Sequence, residues 1–189
     1  QDETSKLDYL CAAGVVFLFL VSVTRLLRKS DTNTPEIMNF LDLVGLATVA
    51  DVVPLVQLNR AFVTQGLKIL AKRCRPGLVA LIDEANIRTQ PTSYHLGFLL
   101  APRINAAGRI NHAHKAVEIL KTKDDLKANK IANEIEEHNK IRREVEKKIT
   151  NEALGMIDIN KKSTVVFSKD WHKGVIGIVA SRLIETHYK

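Results

Sequence analysis

The chain has little that would staple it or anchor it. Among its 189 residues there are two cysteines, Cys11 and Cys74, far apart and outside any Cys-x-x-Cys or Cys/His spacing. Neither a disulfide framework nor a zinc site is indicated, and a reducing compartment fits best. The one apolar run, Leu10 to Val23, is shorter than the roughly 20 residues a bilayer span needs. It follows Asp2, Glu3 and Asp8 rather than basic residues, so it does not read as a signal peptide, and a fully buried core helix is expected. The six histidines include no adjacent pair. His112-Ala-His114 comes nearest to a ligand pair and reads as surface histidine.

The net charge is +7 and it is unevenly placed. Residues 1–95 hold 10 basic against 9 acidic side chains, and residues 96–189 hold 18 against 12. An excess confined to one half suggests a polyanionic partner for that half. Lysine-rich helices that only confer solubility are the plainer alternative.

The excess begins at Ala101-Pro-Arg-Ile-Asn-Ala-Ala-Gly-Arg109, a string with no carboxylate. Arg103 and Arg109 can each fork two N–H donors onto a phosphate, and Asn105 adds neutral donors. Ala106, Ala107 and Gly108 leave room for a backbone to approach, and a short anion-facing loop is expected. The bland alternative has one arginine capping the preceding helix and the other in solvent.

Punctuation along the chain predicts mostly helix over the first 120 residues. Leu10–Arg28 ends in cations that suit a helix C-terminus. Thr34-Pro35-Glu36 supplies a cap, an N1 proline and a first-turn acid for a helix to about Leu46. Asn59 can cap another to about Lys72, closed by Arg75-Pro76-Gly77. Helices over Leu78–Ala85, from Thr92 to a stop at Pro102, and over His114–Lys121 follow.

From Asp124 to Asp158 there is no proline, and Gly155 is the lone glycine. Ile131, Ile135, Val145, Ile149, Ala153 and Met156 recur near helical spacing. Glu136, Glu146 and the other charges read as solvated faces of a rod joining two domains. A coiled-coil seam is the alternative, opposed by His138 and Arg142. Thr164–Phe167 then reads as a β-branched strand, followed by a loop and an apolar helix from Gly174 to Arg182. Strand, loop, Gly-x-x-Gly and helix open an α/β unit. A single unpaired strand marks the sequence as a fragment.

That last segment could hold an anion. Gly174 and Gly177 at a helix start let N–H groups converge, with Ser181 and Arg182 one to two turns on. Trp171 offers a stacking face and His172 a further donor. Equally, the glycines could serve close packing and Trp171 the core. Gly45–Leu55 is apolar apart from Asp51. A lone carboxylate there needs a cation or N–H donors if it is buried, and otherwise forms a cap or turn.

Four motifs in order resemble the RecJ-like single-strand-specific DNA exonucleases of the DHH phosphoesterase family. They are Val49-Ala-Asp-Val-Val-Pro-Leu55, Arg73-Cys-Arg-Pro-Gly77, Pro102-Arg-Ile-Asn-Ala-Ala-Gly-Arg109 and Asp170-Trp-His-Lys-Gly-Val-Ile-Gly-Ile-Val-Ala-Ser-Arg182. Leu10–Leu18 also looks like the helix after that family's Asp-His-His signature. The resemblance implies a mainly α fragment: the later, helical part of an α/β DHH catalytic domain (1–120), a long connecting helix (121–160), and the first strand–helix unit of the associated substrate-binding domain (161–189).

It further implies a Mn²⁺- or Mg²⁺-dependent enzyme that hydrolyses single-stranded DNA from 5′ to 3′ at a two-metal centre, in repair and recombination. Asp51 would be a metal ligand, and Arg103, Asn105 and Arg109 phosphate-binding, with Arg109 also catalytic. Trp171, His172, Gly174, Gly177, Ser181 and Arg182 would bind the strand. A monomeric bacterial protein of the cytoplasm and nucleoid is implied, with a single-strand-binding protein as a partner and no membrane. No Asp-His-His or Asp-x-Asp-Ala-Asp occurs, so the chain by itself is expected to be inactive. The rival readings are a non-catalytic nucleic-acid-binding module and a related nanoRNase or cyclic-dinucleotide phosphodiesterase, whose Gly-Gly-Gly-His string is absent. An adaptor built on the charged rod is a weaker third.

Overall fold

A computed structural model describes residues 6–30, 32–110 and 113–187, with the backbone alone at 109 and 110. His112 lies outside the described residues. The fold is mainly helical, in eight α-helices among the described residues: α1 Ala12–Lys29, α2 Leu41–Ala50, α3 Gln57–Leu70, α4 Pro76–Glu84, α5 Ala101–Ile110, α6 His114–Lys121, α7 Asp125–Gly155 and α8 Ile176–His187. None of them is long and apolar enough to cross a membrane. The chain divides into two compact units, Gln1–Pro102 with Ile119–Ala132, and Arg103–Glu118 with Asn133–Lys189.

The first unit is built on an aliphatic core of Leu10, Phe17, Ile37, Leu41, Val44 and Phe62. Gly45 of α2 faces Gly66 of α3, and a Cβ on Gly66 would lie 2.3 Å from the Leu41 carbonyl oxygen. The missing side chains let these helices cross backbone to backbone, and α3 lies closely against α2 along its length. Phe17 meets Phe62 edge to face at 5.5 Å, fastening α1 to α3.

Three expectations change here. α1 is not fully buried: Val16 and Leu26 are exposed, and Phe19 is 65 % exposed. Its apolar residues run round the whole helix, and the unit covers the face that carries Gly14 and Phe17. The helix expected from Pro35 starts later, as a 3-10 turn at Ile37–Phe40 capped by the Glu36 carboxylate. Asn59 caps nothing. It is buried in the first turns of α3 and donates to the carbonyls of Tyr9 and Pro54 at 2.8 and 2.9 Å.

In the second unit, α7 and α8 enclose Ile149, Ala153, Trp171, Val175 and Val179. Thr164–Phe167 forms no strand, because a strand is defined by its ladder and no partner strand is described. Val165 and Phe167 stand exposed instead. α7 is the long helix expected, but it is not solvated on all its polar faces. Glu136, Asn139 and Glu146 are buried together with Ile135 and Ile149.

Candidate nucleic-acid interface

The arginine string expected as a loop is helix α5. Ala101, Ala106 and Ala107 are buried, and alanine is the strongest helix former. A proline inside a helix clashes with the carbonyl four residues back. Here the turn before it, His95–Leu100, is a π-helix, whose wider ladder relieves that clash and lets the helix run through Pro102. Upstream, Thr92 and His95 cap each other, backbone N–H of each to the side chain of the other.

Helical geometry sorts the motif into two faces. Asn105 and Gly108 are exposed, and positions 105, 108 and 109 share one side by their spacing. Arg103 is on another side and largely buried, its Nε 2.7 Å from Glu136 Oε2. Arg143 reaches the other Glu136 oxygen at 3.4 Å. A buried carboxylate needs a cation close by, and Arg103 supplies it, so a phosphate would compete with Glu136 for this guanidinium.

One open depression joins α5 to the second motif. It is lined by Gly108, Asp170, Trp171, His172, Lys173 and Gly174, all within the second unit. The folded chain therefore brings together residues from two strings far apart in sequence. His172 Nδ1 accepts from the Gly174 N–H at 3.1 Å, which leaves Nε2–H as the donor of the neutral ring. Lys173 is exposed beside it.

Trp171 is not a stacking face. It is 9 % exposed, packs among Ile149, Val175 and Val179, and donates from Nε1 to Glu152 at 2.9 Å. A large apolar ring with one satisfied N–H is a core anchor, and it holds the His172–Gly174 turn in place. Gly177 has open space where a Cβ would stand, so close packing does not explain it. Ser181 donates to the Gly177 carbonyl at 3.2 Å. Arg182 bonds Glu185 at 3.2 Å and Glu146 at 3.4 Å, and these bonds, Glu185's first, raise its pKa above the usual arginine value.

Asp51 belongs to the first unit and is exposed. It ends α2, its N–H bonded to the Ala47 carbonyl at 2.9 Å, and Val52 beyond it takes a left-handed φ of 55°. An exposed carboxylate can serve as one ligand of a metal ion. Among the described residues, however, no three His, Cys, Asp or Glu side chains gather to hold one. The residues present do not fit a two-metal centre on their own.

Sequence reasoning missed Glu136, Glu146 and Glu152, the carboxylates that set the orientation of Arg103, Arg182 and Trp171. For Glu146 alone the spacing carries a signal. Ala132, Ile135, Asn139, Arg142, Glu146, Ile149 and Ala153 alternate spacings of three and four, a buried stripe with polar residues inside it. Arg142 donates to the Asn139 side chain at 3.2 Å and pairs with Glu146.

A helical chain with a basic second half, and a depression in that half that presents Lys173 and His172, has the charge that suits a polyanionic partner, and comparison with known proteins makes that class particular. The chain matches a segment of the single-stranded-DNA-specific exonuclease RecJ, to which it is similar over nearly its whole length. It is 37 % identical over 196 residues to RecJ of Haemophilus influenzae, covering 95 % of this chain and 34 % of that protein. RecJ of Bacillus subtilis is 40 % identical over 159 residues, 79 % of this chain and 20 % of its own. A crystal structure of exonuclease RecJ bound to manganese superposes with a TM-score of 0.87 at 32 % identity, over 99 % of this chain and 47 % of that one. RecJ of Thermus thermophilus in complex with Mn²⁺ gives 0.77 at 33 % identity, over 85 % and 24 %. The chain thus spans about a third of the length of the first curated relatives it matches. No protein-family model matches it.

Proposed function

We propose that this chain is part of a RecJ-type exonuclease that removes nucleotides from single-stranded DNA in the 5′-to-3′ direction, in repair and recombination. The supporting observation is the depression that Gly108 of the arginine motif shares with Asp170–Gly174. The Lys173 ammonium and the His172 Nε2–H at its lining, with the exposed amide of Asn105 one turn before Gly108 on α5, suit a phosphodiester backbone, which takes charge and donors without reading bases. Arg109 is assigned to phosphate on its place in the motif. Gly174 and Gly177 allow the strand to approach the start of α8, with Ser181 and Arg182 beside it. Arg103 acts in this reading through Glu136, holding α5 against α7.

The domain reading goes with the same proposal: catalytic-domain residues to about 120, a connecting helix to about 160, and a substrate-binding domain from there. Asp51 is one metal ligand of the relatives' Mn²⁺ or Mg²⁺ chemistry, too few for a centre by itself. When bound, such metals supply an activated water and neutralise the leaving oxygen. A cytoplasmic, nucleoid-associated monomer that meets a single-strand-binding protein completes the reading.

Two measurements test it. The 189-residue chain, incubated with 5′-labelled single strands and Mn²⁺, is expected to bind without cleaving. Turnover lost in Asp51→Ala would overturn the inactivity, and absence of binding would overturn the interface. In the longer enzyme, Arg109→Ala is expected to lower cleavage by about 10- to 100-fold for all base sequences, with Arg109→Lys recovering only part because lysine lacks the fork. Unchanged cleavage in both variants would make the motif structural.

A further inference from the structure

A second basic site lies in the first unit, built from residues to which the nuclease reading gives no role. It is a cavity of 480 Å³ formed by the turn at residues 72–76 and by the residues that follow α6. Small-ligand pockets run from about 300 to 1,000 Å³. Lys72, Lys121 and Lys123 stand around it with Arg73 and Arg75, and the one carboxylate in its lining is Asp42. Ile69, Leu70 and Leu78 give it an aliphatic floor.

The two arginines are committed. Arg75 holds buried Asp42 through Nε at 2.8 Å and Nη2 at 3.1 Å, and lies over the Phe40 ring. Arg73 sets Nη2 on both oxygens of Asp83 at 2.7 Å. These pairs fix the turn and neutralise the lining carboxylate. Among the described residues no ion pair joins Lys72, Lys121 or Lys123, so three lysines line one cavity whose single carboxylate is already taken by Arg75. Gly77 makes the convergence possible: a Cβ there would fall 1.7 Å from the Ile119 carbonyl oxygen. Its absence lets the end of α6, and with it Lys121 and Lys123, settle against the start of α4.

We propose that this cavity binds a phosphate-bearing anion, with Lys72, Lys121 and Lys123 on the phosphate and the aliphatic floor beneath the rest of the ligand. Three like charges held together repel one another and gain most from a multiply charged partner. Ammonium groups act as point charges and suit a phosphate, whose oxygens point in several directions; a single carboxylate would be served better by a planar fork. The site shares no residue with the depression at Gly108 and does not depend on the nuclease reading.

Cys74 makes the test selective. Its thiol is exposed and lines the cavity, whereas Cys11 is buried. The rate at which neutral iodoacetamide alkylates Cys74 is measured on the 189-residue chain with pyrophosphate, with a short 5′-phosphorylated single strand, and with sodium chloride at matched ionic strength. Pyrophosphate at about ten times its Kd is expected to slow labelling by about tenfold. Lys72→Ala and Lys123→Ala, each checked for native helicity by circular dichroism, should each raise that Kd by about tenfold. Protection by the oligonucleotide as well identifies a nucleic-acid backbone as the source of the phosphate, and protection by pyrophosphate alone a small phosphorylated compound. Labelling that neither phosphate ligand slows beyond chloride, or protection that survives both lysine substitutions, overturns the proposal.

Discussion

Glycine is used in opposite ways by the two units. In the first, the space beside Gly66 and Gly77 is already occupied by carbonyl oxygens of Leu41 and Ile119. In the second, nothing stands within 4 Å of where a Cβ on Gly177 would be. The polar groups divide as well. The first unit packs aliphatic helices at close range around one buried carboxylate, Asp42 on Arg75, while the second buries Glu136 and Glu146 along α7 and matches each with arginines from α5, α7 and α8. The first unit is therefore the more sensitive to volume, the second the more sensitive to charge.

The strongest way to break that contrast is to fill the tight crossing. Gly66→Val should destabilise the first unit by about 3 kcal/mol or more, since the new atoms meet backbone that cannot rotate away. Urea unfolding followed by circular dichroism measures it. A loss below about 1 kcal/mol would mean that α2 and α3 adjust freely and that close approach is not what holds them.

Charge should matter next, and in the second unit. Glu136→Ala leaves the Arg103 guanidinium largely buried without its carboxylate, at a cost of about 3 kcal/mol. Replacing both partners by apolar side chains, Arg103→Met with Glu136→Leu, should recover most of that loss, because desolvation is then no longer opposed. The same urea experiment decides it. If the double variant is no more stable than Glu136→Ala, the pair has a role beyond neutralising a buried charge.

These outcomes also mark what could be read in the sequence. His114–Lys121 is a helix between the expected residues, and α7 falls within three residues of its expected ends, because both follow apolar periodicity with few breakers. α5 was hidden by its own composition. Proline, glycine and unpaired arginines are loop signals locally, and a π-turn and buried alanines override them only once the chain is folded. Of the buried charges of α7, Glu146 shows only through its place in the apolar stripe, since a Glu four residues from an Arg looks the same on a solvated face as on a buried one, and Glu136 lies outside that stripe. The meeting of Gly108 with the His172–Gly174 turn has no local signature. It depends on Trp171 packing into the core and drawing the turn with it.

The smallest expected effect separates function from stability most sharply. Gly177 lies in α8 with an ordinary helical backbone and open space beside it, so Gly177→Ala meets no obstacle. Alanine restricts the unfolded chain and favours helix, and stability should rise by about 0.5–1 kcal/mol. If a nucleic-acid backbone approaches the start of α8, the added methyl group stands in its path, and single-strand binding measured by fluorescence anisotropy should weaken by several-fold in the same variant. Filling a space that the fold leaves open would then improve the protein and impair its contact with DNA. A variant both more stable and unchanged in binding would show that Gly177 is simply tolerated, and the interface would contract to Gly108 and the turn at His172.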